Sequence, residues 1–324
     1  MKASIASTAA LAALFSGVLS AADPQLLNLV MPDVKVMADV NVEQAKSSPF
    51  GQYVLTQVET QQLTQIAALT GFDPAKDVNE LLVAGNGAAQ HSGLALVLGN
   101  FNVSTITSVI AQQKVATETY QGVTIFENPQ KEAGLAFLSG SIAAAGDLAN
   151  LKAAIDRVSA PSILPASLMV EIGQLSAAND AWALTTVPPS SLKPSATSPA
   201  VPGVGNGAGS VLGTVQSASA GIKFGANVVV TAQAQADTPQ NATAIAGLIQ
   251  FLVNMAQLKA ADEPQVQALA KALTVSANGA AVNISLTLPS TQFQELLQPK
   301  AAAHHRATRG NRRSRIFLTV RDPR

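Results

Sequence analysis

Few side chains in this sequence are suited to metal binding. The 324 residues include no cysteine and only three histidines: His91, in a predicted hairpin loop, and the adjacent pair His304-His305. No two histidines have the i, i+4 spacing that places both on one helix face, so we predict no zinc site. The segment 73–77 (Asp-Pro-Ala-Lys-Asp) comes nearest to an oxygen-rich calcium loop, but its lysine opposes a bound cation. We therefore expect neither a metal nor another cofactor.

Nucleophilic catalysis also lacks its usual pattern. The G-x-S-x-G turn that exposes a catalytic serine is absent, and neither Ser139-Gly140-Ser141 nor Gly209-Ser210 has its spacing. A serine–histidine dyad would have to use His91, which we interpret as an ordinary loop residue. The glycine-rich segment 203–213 contains neither G-K-[ST] nor G-x-G-x-x-G, so it does not indicate a phosphate-binding loop. We predict no catalytic residues.

Carboxylate chemistry remains an alternative, because acidic residues are spread along the chain and a pair of them could hydrolyse a glycosidic bond. Sugar sites also use stacking aromatic residues, however, and the chain has a single tryptophan, Trp182, which we interpret as a core residue. The polar side of the first predicted strand, with Lys35, Asp39 and Asn41, could line a site. Such a side more often faces solvent.

The N-terminus has the features of an export signal. Met1-Lys2 supplies a positive charge, residues 3–19 are small or apolar, and Ser20-Ala21-Ala22 supplies a small-residue cleavage site before Asp23. This order predicts a signal peptide over residues 1–22 and a periplasmic or extracellular protein. A retained signal anchor is the alternative. No other apolar run reaches the ~20 residues of a spanning helix, so we predict no transmembrane span in the mature chain.

Charge is distributed unevenly, although the formal net charge is zero. Residues 1–300 carry 13 basic and 19 acidic side chains, whereas residues 301–324 carry seven arginines and one aspartate. We interpret residues 301–324 as a basic, disordered tail that folding does not need, and contact with an anionic surface is its alternative role. The tail has one aromatic residue, Phe317, so base stacking is poor and we expect no nucleic-acid partner.

Hydrophobic patterning predicts an α+β chain. Residues 34–42 alternate, and we expect the side with Val36, Ala38 and Val40 to face the core. Other predicted strands lie near residues 81–84, 94–98, 123–126, 135–138, 142–145, 181–187, 215–224 and 226–236, and beside the Asn278-Gly279 turn. Predicted helices follow Ser48-Pro49, Asn102, Asp147, Asp237-Thr238-Pro239 and Ser290, and lie near residues 168–175 and 264–273.

The two halves share the order strand, hairpin, helix, hairpin, helix. The matching starts are Val34 with Ala181, Asn102 with Pro239, and Asp147 with Ser290. We predict an internal duplication into two tandem related units, residues 23–160 and 161–300, each with antiparallel sheet and helices packed on one face. The Pro/Gly/Ser-rich segment 188–213 predicts a long flexible loop within the second unit.

Two short motifs carry a family resemblance. Ser-Pro-Phe-Gly at residues 48–51 follows the first strand, and Gly-Phe-Asp-Pro at residues 71–74 precedes Asp77 and a hairpin. With the signal peptide, this order resembles a group of uncharacterised exported proteins from environmental bacteria, over much of residues 30–158 and more weakly over 215–297. The resemblance implies an exported α+β protein whose motifs are structural, and it implies no activity or site residues.

Together these observations favour a non-catalytic exported protein that binds or scaffolds an unknown ligand. An exported carboxylate-dependent hydrolase is one alternative. An envelope-associated protein held by an uncleaved signal anchor is the other.

Overall fold

The computed structural model describes residues 22–58, 68, 70–87, 92–130, 132–188, 212–259 and 264–297. The predicted signal segment before Ala22, the three histidines, residues 189–211 of the predicted loop and the basic tail lie outside the described residues. Within them, ten helices accompany twelve strands that form one antiparallel sheet. The predicted α+β class is confirmed.

The strands are β1 (Val36–Asn41), β2 (Val78–Gly85), β3 (Leu94–Gly99), β4 (Ala116–Tyr120), β5 (Val123–Asn128), β6 (Ala133–Phe137), β7 (Ile142–Asp147), β8 (Ala181–Thr185), β9 (Val215–Lys223), β10 (Asn227–Ala236), β11 (Leu273–Asn278) and β12 (Ala281–Pro289). The helices are α1 (Pro24–Leu27), α2 (Val42–Ser47), α3 (Pro49–Val58), α4 (Pro74–Asp77), α5 (Val103–Gln112), α6 (Leu148–Ser159), α7 (Ala166–Ala178), α8 (Pro239–Lys259), α9 (Pro264–Ala272) and α10 (Ser290–Leu297).

The sheet order is β11-β12-β10-β9-β8-β1-β2-β3-β7-β6-β5-β4. Strands β1 and β8 pair antiparallel at its centre. Outward from this pair the two halves have the same connectivity, because β1-β2-β3-β7-β6 matches β8-β9-β10-β12-β11 and the first half adds the β4–β5 hairpin at its edge. This match supports the duplication hypothesis, which remains a prediction.

Local sequence signals explain where several elements begin. Asn102 Oδ1 accepts a hydrogen bond from Thr105 N (3.2 Å) at the start of α5, and Asp147 Oδ1 accepts one from Asn150 N (3.0 Å) at the start of α6. Gly279, with φ of +57°, lies in the tight turn that joins β11 to β12. These predicted caps and this predicted turn are confirmed.

The main core lies on one face of the first half and of β8. Directly paired residues of an antiparallel sheet project to the same face, so we call the face with Met37, Leu82 and Leu96 the front face and the opposite one the back face. Residues 22–34, α6 and α7 cover the front face there.

The predicted orientation of the first strand is wrong. Met37 is fully buried on the front face and Asp39 is only 3% exposed there, whereas Val36, Ala38 and Val40 are half-buried on the back face. The valines suggested that their side of the strand faces the core, but the N-terminal segment packs against the opposite side. Asp39 is buried there beside a second acidic side chain, an arrangement that alternation alone does not reveal.

Helices lie on both faces of the sheet, not on the single face that we expected. On the back face, α5 packs over Ala143 through Ile106, and α8 packs over Ala236 and Val282 through Ile245. The side of β10 with Val228 and Ala236 is buried on this face.

The motif at residues 48–51 packs the two halves together. Ser48 Oγ accepts a hydrogen bond from Gly51 N (2.9 Å), and a Cβ on Gly51 would lie 2.3 Å from a backbone oxygen of α2. Phe50 is buried, and its ring centroid lies 5.7 Å from that of Phe224 and 5.1 Å from that of Phe293. The motif is therefore explained by packing.

Candidate functional site

An open groove lies on the front face of the second half, with a cavity volume of about 690 Å³. Its floor is the front face of β9, β10, β12 and β11, and its wall is α7. The polar floor residues are Ser217, Ser219, Thr231, Gln233, Gln235, Thr274, Ser276, Asn283 and Ser285. We call this set the polar floor.

The strand register arranges the polar floor in rows. One row is Ser219, Gln233, Asn283 and Ser276, and the next is Gly221, Thr231, Ser285 and Thr274. Neighbouring strands are about 4.8 Å apart and successive rows about 6.7 Å apart. Within the floor, Gln233 Nε2 donates to Asn283 Oδ1 (2.9 Å) and Thr274 Oγ1 donates to the Ser285 carbonyl (3.3 Å). The result is a regular grid of hydroxyl and amide groups.

The groove exists because the corresponding helices of the two halves pack on opposite faces. Helix α6 follows β7 and covers the front face, where the first half places Leu82, Leu96 and Ala144. Helix α10 follows β12 but packs on the back face, where Phe293 meets Phe50 of α3. Among the described residues, no corresponding helix covers the front face of the second half, and polar residues occupy it.

Helix α7 separates the groove from the main core. Leu168 and Ile172 are buried in the core, whereas Val170, Glu171 and Gln174 line the groove. Burial raises the pKa of Glu171 above its ordinary value. Glu171 is the one ionisable side chain among the described lining residues.

Asn179 closes the end of the groove where α7 meets the sheet. Its Nδ2 donates to the Leu175 carbonyl (2.8 Å), and its carboxamide lies directly over Gly221. A Cβ on Gly221 would lie 2.2 Å from the Asn179 carboxamide carbon. Only glycine at position 221 leaves room for this arrangement.

A second polar cluster lies inside the main core. Asp39 and Glu80 are 3% and 5% exposed on the front face of β1 and β2, and Glu80 Oε1 accepts a hydrogen bond from Asp23 N (2.9 Å). Burial, the charge of Glu80 and the hydrogen bond donated to Glu80 together raise the pKa of Asp39 to about 8. Burial likewise raises the pKa of Glu80. The neighbouring Trp182 indole opposes this rise in the pKa of Asp39, but the contact is too poorly aligned to give Asp39 Oδ1 or Trp182 Nε1 a regular hydrogen bond within the described structure.

The predicted polar side of the first strand does not form one site. Lys35 is exposed, Asp39 is buried in the core, and Asn41 Oδ1 caps α2 by accepting from Gln44 N (2.8 Å). Trp182 lies in the core, as predicted.

The other candidate residues also serve local structure. Asp73 Oδ1 caps α4 through Ala75 N (3.1 Å), and Asp73 forms an ion pair with Lys76 (2.8 Å). Ser139 Oγ accepts from the backbone of its own turn, at Ser141 N and Ile142 N (3.1 Å each). No cluster of three or more potential metal ligands occurs within the described ranges.

Comparisons with known proteins support the fold. No protein-family model matches the sequence, and no curated protein matches it significantly. The structure of crystal form III of TP0453 resembles this fold with a TM-score of 0.54 at 11% identity, over 85% of this chain and 97% of that chain. Crystal form IV of TP0453 gives a TM-score of 0.52 at 11% identity, over 88% and 100%. At this identity the likeness shows the fold alone.

None of the helices in the described part of the chain is both long enough and apolar enough to span a membrane.

Proposed function

We propose that this is an exported, non-catalytic binding protein and that the groove over the polar floor is its binding site. The observation that carries the proposal is the uncharged character of the floor. A buried sheet face would be mostly apolar, as the front face of the first half is apart from Asp39 and Glu80. The partly exposed outer strands β4 and β5 carry the charged residues Glu118 and Glu127, whereas the polar floor carries only hydroxyl and amide groups.

The lining favours a neutral polysaccharide as ligand. No lysine or arginine is among the described lining residues, so polyanions find no counter-charge. Enclosed, mostly apolar pockets suit small molecules, and this groove is open and largely polar. A floor of four strands at about 4.8 Å spacing offers hydrogen bonds across roughly 14 Å, which suits an extended, hydroxyl-rich chain.

Binding of this kind is expected to be weak. Each neutral hydrogen bond contributes a net gain of only about 1 kcal/mol, and the described lining offers no aromatic ring for stacking. We therefore expect dissociation constants that are roughly millimolar for short oligosaccharides, with stronger retention by long chains that bind at several positions.

Turnover is less well supported than binding. Asp39 and Glu80 have the raised pKa values that a carboxylate-dependent hydrolase uses. Neither residue lines the groove, and both are buried beneath the N-terminal segment. The hydrolase alternative predicts that Asp39→Asn abolishes a measurable hydrolysis, whereas our proposal predicts no hydrolysis to abolish.

Export rests on the sequence of residues 1–22, and N-terminal sequencing of the protein from its native host tests it. A start within residues 21–23 is expected for a cleaved signal peptide. A start at Met1 would contradict cleavage and favour the retained-anchor alternative.

Affinity gel electrophoresis tests the proposed ligand class. We expect hydroxyethylcellulose, dextran or a β-glucan in the gel to retard the protein, while polygalacturonate does not. Gln233→Ala should reduce the retardation, because it removes a central amide of the polar floor. The matched control is Gln216→Ala, an exposed glutamine of β9 outside the lining. Equal loss in both variants, or no retardation by any neutral polymer, would contradict the proposal, and binding of extended peptides instead would change the ligand class.

A further inference from the structure

The main core contains two acidic side chains without a cation. Asp39 and Glu80 are both at least nine-tenths buried, and no lysine or arginine of the described chain forms an ion pair with either. Lys223 of β9 is paired with Asp180, and Lys46 Nζ donates to the Val78 carbonyl of β2 (2.7 Å). Even while Asp39 keeps the proton that it donates to Glu80, the pair holds one buried negative charge, and a buried charge without a cation is costly.

The first described residues lie directly over this pair. Asp23 N is 2.9 Å from Glu80 Oε1, and Ala22 is 5% exposed. Residues 26–31 then bury their apolar side chains in the main core, which fixes the position of Asp23. Asp39 Oδ1 lies beside Glu80 and opposite Trp182 and has no regular hydrogen bond within the described structure.

The same position is the predicted signal-peptide cleavage site. Cleavage after Ala22 places Ala22 and Ser20 at the two positions before the bond that require small residues, whereas cleavage after Ala21 would place Leu19 at one of them. Hydrolysis of the Ala22–Asp23 bond consumes one water. Ala22 leaves with a carboxylate, and the nitrogen of Asp23 becomes an α-ammonium group.

We propose that the α-ammonium of Asp23, released by cleavage after Ala22, is the counter-ion of the Asp39–Glu80 pair. The inference rests on the export part of the proposed function. Before cleavage, a peptide N–H gives Glu80 one hydrogen bond and no charge. After cleavage, the same nitrogen carries a positive charge and three donors at the same place. Processing therefore removes Ala22 from the main core but supplies the cation that the acidic pair lacks.

The burial of Ala22 indicates that cleavage precedes folding. Ala22 is almost inaccessible in the folded chain, so cleavage belongs before folding, when the chain is extended during export. A chain that keeps residues before Asp23 folds around two acidic groups that compete for one proton. The processed chain folds around an ion pair.

The charges around the new amino group define its pH dependence. Glu80 bonds this nitrogen from β2, and Asp39 lies beside Glu80 on β1. The Asp23 carboxylate accepts from Gln25 N, and its charge also acts on Glu80. The ion pair of Lys223 with Asp180 lies at β9 and just before β8. An α-amino group ordinarily titrates at about 7.7–8.0. Pairing raises that pKa, so its contribution to stability is present at neutral pH and is lost as the pH rises through the raised value.

A comparison of two chains tests the inference. The processed chain (residues 23–324) begins with a free amine at Asp23, and the extended chain (residues 21–324) retains the peptide bond there. We expect the processed chain to melt roughly 5 °C higher near pH 7.5. The difference should shrink at about pH 4, where the carboxyls are protonated, and at about pH 10, where the amine is neutral. Equal melting temperatures near neutral pH would overturn the inference.

Glu80→Gln in both chains supplies the control. The advantage of the processed chain should largely disappear, and an advantage of unchanged size would mean that trimming, not pairing, causes it. If the Glu80→Gln variants do not fold, NMR titration of the ¹⁵N-labelled Asp23 amine in the processed chain decides. A pKa well above the ordinary range supports the pair, and an ordinary value overturns it.

N-terminal sequencing separates this inference from the proposed function. A native protein that starts at Asp23 supports both. A start at Met1 would overturn both the inference and cleaved export. A native start at Asp23 together with equal melting temperatures of the two chains would overturn only the inference, and the polysaccharide-binding assay is independent of either result.

Discussion

Replacing Asp39 with asparagine in the extended chain should change the pH dependence of stability. The folded chain holds the proton of Asp39 more tightly than the unfolded chain, because its pKa rises from 3.8 to about 8. Between these values the folded state binds more protons, so the free energy of unfolding falls as the pH rises. The carboxamide introduced by Asp39→Asn does not titrate, and it still donates a hydrogen bond to Glu80.

The size of the effect follows from the width of that interval. Each pH unit within this interval lowers the free energy of unfolding of the parent chain by at most about 1.4 kcal/mol. From about pH 5 to about pH 7.5, the free energy of unfolding of the Asp39→Asn variant should therefore rise by roughly 3 kcal/mol relative to that of the parent extended chain. Near pH 4 the two chains should differ little, because both then present an uncharged donor at this position.

Urea unfolding at a series of pH values, monitored by the fluorescence of the buried Trp182, measures the difference. The denaturant slopes of the two chains must agree for the free energies to be compared. Asp237→Asn, which removes the charge of an exposed aspartate, is the control and should show no such trend. If the advantage of Asp39→Asn were constant from pH 5 to pH 7.5, the assignment of a proton to Asp39 would be refuted.

Two further substitutions test the packing. Gly221→Ala should destabilise the fold by about 1–3 kcal/mol in urea unfolding, because its methyl group would collide with Asn179. Gly173→Ala, in the middle of α7 with open space around it, should instead stabilise by about 1 kcal/mol, and effects of the same sign would contradict the geometry. Phe50→Ala should lower the free energy of unfolding by about 3–5 kcal/mol. It should also speed hydrogen exchange in α10, because the Phe50 ring contacts Phe293 of that helix. Unchanged exchange in α10 would show that this contact does not join the halves.

The sequence was most informative where local chemistry decides the structure. Asn102, Asp147 and Gly279 mark helix starts and a turn through caps and a left-handed backbone, which depend on few neighbours. The strand β4 was missed, because an edge strand with alternating threonine and glutamate has no apolar side to reveal it.

Tertiary context decided what alternation could not. The orientation of β1 depends on where residues 22–34 pack, and the burial of Asp39 depends on its approach to Glu80 from the next strand. The polar floor was visible as Ser217, Ser219, Gln233 and Gln235 opposite the alanines of β9 and β10, a pattern typical of a solvent face. It becomes a groove only because α7 forms a wall beside it and α10 packs on the back face.

NMR titration of the ¹⁵N-labelled processed chain with cellohexaose, laminarihexaose and maltohexaose tests the central claim most directly. Our account predicts that at least one hexasaccharide shifts the side-chain amides of Gln233 and Asn283 and the backbone amides of β10 and β12, while those of β2 and β3 stay in place. Shifts confined to other surfaces, or none with any of the three sugars at about ten millimolar, would contradict the assignment of the groove as a site for neutral polysaccharide.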